Sequence, residues 1–333
     1  MRWYPWLTIV YSQIVESYRT NTGHHFLVLH SKQDNGENLL IYALSRWLMC
    51  SKPIGIKSCS QCCNCRLMKS FSHPDYYLLT PDNDDAKSIG VEKIRSLVEK
   101  LYQYAYIAKL KIVYIENSEW LTQDASNALL KIFEEPPEEV YFFLGCKNSK
   151  RLLPTLLSRC LCWEIHPPKE EISLQWLFQQ GVVNNTQALT ALRLSDSSPL
   201  AAYHFLNSEY WKLRLKLCFE LLKTVGKNDF LSILPFFERY FNEDERFIFW
   251  LCTFFIDAMK CHMGLYDFLV NIDQTNLVRI ISVQYSLLAL NHQLQQCLIC
   301  LYYWKNITNV DKKSLLMYQL LNIEGNVMNF SCY

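Results

Sequence analysis

The sequence predicts a parallel α/β sheet domain followed by helical domains. Strand-like and helix-like segments alternate through the first half, the alternation stops at His166-Pro167-Pro168, and beyond that point the periodicity is helical almost throughout. A chain of 333 residues also exceeds one ordinary core, so about two to three domains are expected.

The first strand is the apolar run from Phe26 to Leu29. A polar loop containing Gly36 follows, then an amphipathic helix with Leu39, Leu40, Ala43, Leu44 and Leu48 on one face. After a cysteine cluster comes a short strand, Tyr76 to Leu79, and a helix from about Val91 to Tyr102 whose apolar face is Val91, Ile94, Leu97, Val98 and Leu101. The strand KIVYI (Lys111 to Ile115) precedes a helix from about Gln123 to Phe133, which Pro136 and Pro137 stop. VYFFLG and LCWEI supply the last two strands. Beyond the Pro-Pro boundary, Trp176 to Gln180 and Ala188 to Leu194 suggest a small helical unit ending near Ser198-Pro199. From about Asn207, SEYWKLRLKLCFELLKTV and DERFIFWLCTFFIDAMK predict a further aromatic-rich helical domain.

Composition narrows the functional class. Half the residues are apolar and a fifth charged, as in a soluble globular protein. A formal charge of +1 gives no bulk electrostatic reason for nucleic-acid binding. The N-terminal stretch MRWYPWLTIVYSQIV lacks the pattern of an export signal, which predicts a cytoplasmic protein. The nearly apolar run Phe247 to Ile256 is about half of the ~20 residues a membrane span needs, so a buried helix and no membrane association are expected. Fourteen cysteines in such a chain predict reduced thiols, some of them metal ligands.

The strand-loop-helix unit at Phe26 to Leu48 has the layout of a phosphate-binding loop without its working residues. Such a loop reads G-x4-G-K-[ST], and its amides and lysine hold phosphates while the hydroxyl residue holds magnesium. Aligned on Gly36, this chain has Ser31, Glu37 and Asn38 at the other three positions. Glu37 suits a bare helix N-terminus but repels a triphosphate. KIVYI ends in Glu116-Asn117, where a working ATPase carries two acids; Asn117 cannot act as a general base, and a plain buried strand ending in two polar residues explains the pair as well.

Cys50, Cys59, Cys62 and Cys65 follow C-x8-C-x2-C-x2-C spacing, which suits four-thiolate zinc with a closed, structural coordination shell. Cys63 is the alternative to Cys62, although the two consecutive x2 spacings favour Cys62. Cys297 and Cys300 lie in a helical pattern and are expected in a core. His24, His25 and His73 are best explained by local structure. In RLLPTLLSRC, Ser158-Arg159 stands just before the last strand; Arg159 is either a surface ion pair or cap, or an arginine offered to phosphates bound elsewhere, and spacing does not choose between them.

Several stretches together, namely MRWYPWL, GHH, IYALSRWLMC, the cysteine spacing, HPDYY, NALLKIFEEPP and LLSRC, resemble the delta-prime subunits of the bacterial DNA polymerase III clamp loader. KKSLLMYQLL extends the similarity toward the end of the chain. The resemblance implies a degenerate AAA+ (RecA-like) domain over residues 1–166 with a zinc module inserted at about 50–65, a helical lid over 167–206 and a helical collar over 207–333. It implies an accessory subunit of a DNA-directed DNA polymerase that binds no ATP itself and joins gamma or tau and delta subunits in a five-membered ring, which loads the sliding clamp onto primed DNA. It also implies that Ser158, Arg159 and Cys160 form a motif whose arginine enters the ATP site of the adjacent gamma or tau subunit. Ser197 and Ser198 stand where active relatives often carry a nucleotide-sensing arginine.

Two other functions compete. A working ATPase needs a cation to replace the missing lysine, and Lys32 is nearby but out of register. A zinc-dependent nucleic-acid-binding regulator would have to use Lys57, Arg66 and Lys69.

Overall fold

The apolar runs of the first half fold as five strands: β1 (Phe26–His30), β2 (Tyr76–Leu79), β3 (Lys111–Ile115), β4 (Val140–Cys146) and β5 (Leu161–Glu164). Their order is β2-β3-β4-β1-β5 and every pairing is parallel. The computed structural model describes residues 3–81, 88–137, 139–227, 229–240, 244–307 and 311–328. The chain divides into two compact units, 1–168 and 169–333.

Among the described residues the α-helices of the first unit are α1 (Leu7–Arg19), α2 (Glu37–Leu48), α3 (Cys63–Lys69), α4 (Val91–Leu101), α5 (Gln123–Glu134) and α6 (Pro154–Leu157). Strand residues alternate between two cores, as the period of two requires. Phe26, Val28, Val113, Phe142 and Leu144 pack with Ile94 of α4 and Leu129 and Ile132 of α5. Leu27, Leu29, Ile112, Tyr114 and Phe143 pack with Leu7 and Ile14 of α1 and Leu40 and Leu44 of α2. Helix α1 lies in a stretch that the sequence analysis considers only as an export signal; its buried residues Leu7, Tyr11, Ile14 and Val15 are spaced as one helical face.

Two buried charges anchor the chain where it enters β3. Asp75, fully buried, accepts backbone N–H bonds from Tyr106 (2.7 Å), Ile107 (2.9 Å) and Ala108 (2.9 Å). Burial opposes its charge, but these three donors outweigh it and hold the carboxyl below its ordinary range. Lys111, also buried, donates through Nζ to the carbonyls of Lys100, Leu101 and Gln103, and so caps the end of α4.

The second unit is helical throughout its described residues: α7 (Glu170–Gln179), α8 (Asn185–Leu194), α9 (Pro199–Asn207), α10 (Glu209–Val225), α11 (Leu234–Tyr240), α12 (Arg246–His262), α13 (Thr275–Gln284), α14 (Leu287–Asn306) and α15 (Lys312–Met328). Ser198-Pro199 begins a helix instead of ending the small helical unit. Ser198 Oγ accepts the N–H of Ala201 and Pro199 takes the first turn, where its missing N–H costs nothing. The apolar run at Phe247 to Ile256 lies within α12, which is buried on most sides, and Cys297 and Cys300 sit in the same core. No helix among the described residues is long and apolar enough to cross a membrane.

Two arginines bind the early helices of this unit to a distant segment. Arg193 of α8 pairs with Glu170 of α7 and donates to the carbonyls of Asp267 and Leu269. Arg214 of α10, fully buried, makes a bidentate pair with Asp273 (2.7 and 3.0 Å) and reaches Asn271.

Asp75→Ala leaves three backbone donors without their acceptor, and a loss of about 2–4 kcal/mol in chemical denaturation of the full chain is expected. Because the folded carboxyl lies below its ordinary value, its contribution is present at neutral pH and is lost as pH falls through the acid range below about 3.8. An unchanged denaturation midpoint in Asp75→Ala would show that the loop at 106–108 does not depend on it.

Candidate functional site

The loop after β1 keeps the architecture of a phosphate cradle and fills it from within. Gly36 caps α2 at φ +90°, a conformation that favours glycine, and an added Cβ would lie 2.6 Å from the Tyr4 ring. Ser31, Asn35 and Glu37 are all buried. Asn35 Nδ2 donates to Ser31 Oγ (2.9 Å), Gly36 N–H donates to Asp34 Oδ1 (3.0 Å), and Asn35 N–H donates to Glu37 Oε2 (3.0 Å). The Glu37 side chain thus turns back onto the loop and takes an amide that a bound phosphate would need. Burial raises its carboxyl above the ordinary value, and Asp34 adds to the rise. N–H donors of the loop and the charge of Lys147 offset part of it.

The N-terminal aromatic segment closes the loop from outside. Trp6 Nε1 donates to the Asn35 carbonyl at 2.9 Å, and the Tyr4 and Trp6 rings stack 5.1 Å apart. Sequence reasoning missed this cover. The available signal was a dense aromatic cluster, Trp3, Tyr4 and Trp6, directly before a helical face.

Asn38 and Glu116 meet directly: Asn38 Nδ2 donates to Glu116 Oε1 at 2.6 Å, and the Tyr114 hydroxyl donates to Asn38 Oδ1. In an ATPase these two positions hold a magnesium ion between them. Here an amide-carboxylate bond spans the gap. Gly145 of β4 permits the close packing of this strand end, since a Cβ there would lie 2.2 Å from the Glu116 carbonyl oxygen. Asn117 only precedes a short 3-10 turn, and Lys32 is exposed.

A second cluster lies beyond α2. The Sγ atoms of Cys50, Cys59, Cys62 and Cys65 all lie within 4.8 Å of one another, with Cys59 and Cys65 3.9 Å apart. Four sulfurs about 2.3 Å from a tetrahedral zinc stand about 3.8 Å apart, so the set fits such an ion. Backbone donors also favour thiolates: Cys59 N–H points to Cys50 Sγ (3.2 Å), Cys62 N–H to Cys59 Sγ (3.4 Å) and Cys65 N–H to Cys62 Sγ (3.4 Å). Cys62 caps the N-terminus of α3, whereas Cys63 is exposed and outside the cluster.

Ser158 and Arg159 stand apart from both. Ser158 is exposed and its Oγ donates to the Thr155 carbonyl (3.0 Å). Arg159 pairs with Glu134 at 2.8 Å and donates to the same carbonyl at 3.0 Å, its side chain 37% exposed. The parallel sheet fixes where this is: Leu161 of β5 pairs with Leu27 of β1, so Arg159 sits at the edge where strands begin and the loop at Ser31 sits where they end. Four residues of strand separate those levels by about 13 Å.

The histidines are local. His24 Nδ1 bonds Phe26, His25 Nδ1 bonds the Val140 carbonyl, and His73 Nδ1 accepts the Asp75 N–H at 3.1 Å. Burial holds the His73 pKa below its ordinary value. Ser198 is spent as a helix cap, and Ser197 lies at φ +63° in the turn before it.

Fold and site together define an α/β domain of phosphate-loop layout whose loop is occupied by the chain's own carboxylate. Family models match consecutive stretches: "DNA polymerase III, delta subunit" over residues 7–169, "DNA polymerase III subunit delta', AAA+ ATPase lid domain" over 168–207 and "DNA polymerase III, delta subunit, C terminal" over 208–325. DNA polymerase III subunit delta' of Yersinia pestis is 42% identical over 331 residues, covering 97% of this chain and 96% of that protein. Its counterpart from Buchnera aphidicola (subspecies Acyrthosiphon pisum) is 36% identical, covering 99% and 100%. That of Escherichia coli K12 is 39% identical over 278 residues, covering 84% and 82%. The chain belongs to the family of DNA polymerase III delta-prime subunits.

Glu37 gives the loop a pH signature. Its folded pKa is raised, so the neutral form is favoured and its contribution to stability is lost as pH rises from about 4.5 through the folded value. Glu37→Gln keeps an acceptor for the Asn35 N–H and removes the ionisation. The expected result is a flatter stability profile from pH 4.5 upward and higher stability than wild type at neutral pH, read by urea denaturation across pH. Parallel profiles for the two proteins would refute the buried carboxylate.

Proposed function

We propose that this chain is a clamp-loader subunit that hydrolyses no ATP and lends Arg159 to a neighbour's site. The observation that carries the reading is the separation of the two edges of the sheet. Its own loop is closed by Glu37, Asn35 and the N-terminal aromatics, while Arg159 stands about 13 Å back along the strand direction, too far to serve that loop. An arginine so placed acts on phosphates only if another subunit brings them. Its resting pair with Glu134 is a surface ion pair, worth about 0–1 kcal/mol, so a triphosphate displaces it readily. The guanidinium fork then binds phosphate oxygens and neutralises the charge that develops in phosphoryl transfer. Ser158, bonded to the turn at Thr155, positions the arginine.

In this reading the chain takes its place beside gamma or tau and delta subunits in a five-membered ring, with residues 167–206 as the lid and 207–333 as the collar that joins subunits. The ring loads the sliding clamp onto primed DNA during replication, and this member contributes a fixed interface. Cys50, Cys59, Cys62 and Cys65 hold a structural zinc ion, whose four-thiolate shell leaves no position for a substrate.

Arg159→Ala is tested in a complex reconstituted with the partner subunits, after equal assembly is confirmed. A large loss of DNA-stimulated ATP turnover is expected, bounded by the factor of about 10³–10⁵ that such arginines contribute at the site they serve, and Arg159→Lys should not restore it. Unchanged turnover would return Arg159 to a surface ion pair. For the metal, one zinc per chain by mass spectrometry is expected in Cys63→Ser and none in Cys62→Ser. The reverse pattern would reassign the third ligand.

A further inference from the structure

The geometry points to a binding groove for an acidic peptide segment beside the cysteine cluster, with Arg46 as its carboxylate receptor. The groove, about 490 Å³, runs between α1, α2 and the loop at 56–60. Trp3, Tyr11 and Ile56 form its apolar wall, and Arg46, Lys57 and Ser60 its polar one. The polar ends of the aromatic wall are already engaged: the Tyr11 hydroxyl donates to the Ile56 carbonyl at 2.8 Å, and Trp3 Nε1 donates to Thr8 Oγ1 at 2.9 Å. Apolar contact, not a free donor, is therefore what this lining offers.

The polar lining carries cations without anions. Arg46 Nη2 donates to Ser60 Oγ at 3.1 Å, its guanidinium lies 5.7 Å from the centre of the Tyr42 ring, and its Nε is buried with no hydrogen-bond partner. A guanidinium has five donors in a planar fork, and Ser60 takes only one of the four on the two Nη atoms of this one. Among the described residues, neither Arg46 nor Lys57 pairs with an acid. The stretch from 38 to 74 has Arg46, Lys52, Lys57, Arg66 and Lys69 and no Asp or Glu, in a chain that is otherwise almost neutral. Four thiolates on a zinc ion would return two negative charges to this stretch and leave it net positive.

A ligand that satisfies both kinds of lining carries a carboxylate for Arg46 and Lys57 and a large apolar side chain for the surface of Trp3 and Ile56. An acidic peptide with one aromatic or aliphatic residue has both. Nucleic acid fits less well, because its phosphates need a track of exposed cations and its bases need open aromatic faces, whereas Tyr11 is buried and stands edge-on to Trp3 with the rings 5.3 Å apart.

The test pans a displayed library of random dodecapeptides against the immobilised full chain, then measures the enriched sequences by fluorescence anisotropy. Enrichment of Asp or Glu together with a large apolar residue is expected, with affinity about tenfold weaker in Arg46→Gln, weakened also in Lys57→Gln, and falling with added salt. Lys57 is exposed, so its variant carries the test should Arg46→Gln unfold. Enriched peptides that lack acids, or affinities unmoved by either substitution, would overturn the proposal. So would a twelve-residue oligothymidylate that binds and loses affinity in both variants while no acidic peptide is enriched, since the groove would then belong to nucleic acid.

Discussion

All five strands of the sheet run the same way, and much of the chemistry of the first unit is arranged by that constraint. A parallel sheet gathers the ends of its strands on one edge and their beginnings on the other. The loop after β1 and the Asn38–Glu116 pair lie on the first edge; Arg159, introducing β5, lies on the second. No side-chain rearrangement brings Arg159 to Ser31 across a sheet whose strands are paired on both sides of β1. A single chain with this topology can therefore own a phosphate loop and an arginine without using them together. A neighbour stacked in the same orientation would present one edge to the other.

Two buried carboxylates show how the fold accommodates acidic groups in its interior. Asp75 and Glu37 are both covered by protein and both accept backbone N–H bonds, yet their protonation shifts in opposite directions. Asp75 has three converging amides, enough to outweigh its desolvation. Glu37 has fewer donors and Asp34 nearby, and desolvation wins. The difference fits their places in the fold. Asp75 fixes the turn before β3, and Glu37 stands in a cradle whose geometry evokes an anion that would be larger and more highly charged. Two of the cradle amides are taken locally, that of Asn35 by Glu37 and that of Gly36 by Asp34.

Much of the first unit was legible because its signals are local. Continuous apolar runs gave the parallel strands, Pro136-Pro137 gave the end of α5, and the cysteine spacing gave the cluster. The substitutions at Ser31, Glu37 and Asn38 were legible as departures from a pattern, but their consequence was not. That Glu37 folds back onto the Asn35 amide, and that Trp6 reaches the Asn35 carbonyl from 29 residues away, are tertiary facts with no local periodicity. Helix α1 was missed because its stretch was weighed only against an export signal. Ser198-Pro199 was taken for an end when its chemistry equally marks a start: serine caps and proline favours the first turn. The partners of Arg193 and Arg214 lie more than fifty residues downstream or, for Glu170, on a neighbouring helix, and no spacing in the sequence announces them.

Those two arginines also bear on how the second unit works. Residues matched as a lid and residues matched as a C-terminal domain form one compact unit, in which Arg193 and Arg214 both reach the segment 267–273. Arg214 is fully buried, and breaking a buried pair of this kind leaves an uncompensated charge, at a cost of about 3–5 kcal/mol. The two arginines do different work, however. Arg193 runs from the lid-matched residues to the carbonyls of Asp267 and Leu269, so it joins the two matched stretches. The Arg214–Asp273 pair lies wholly within the C-terminal match and fixes α10 against the segment that Arg193 also holds. One short segment, 267–273, is therefore the common anchor of helices that are distant in sequence.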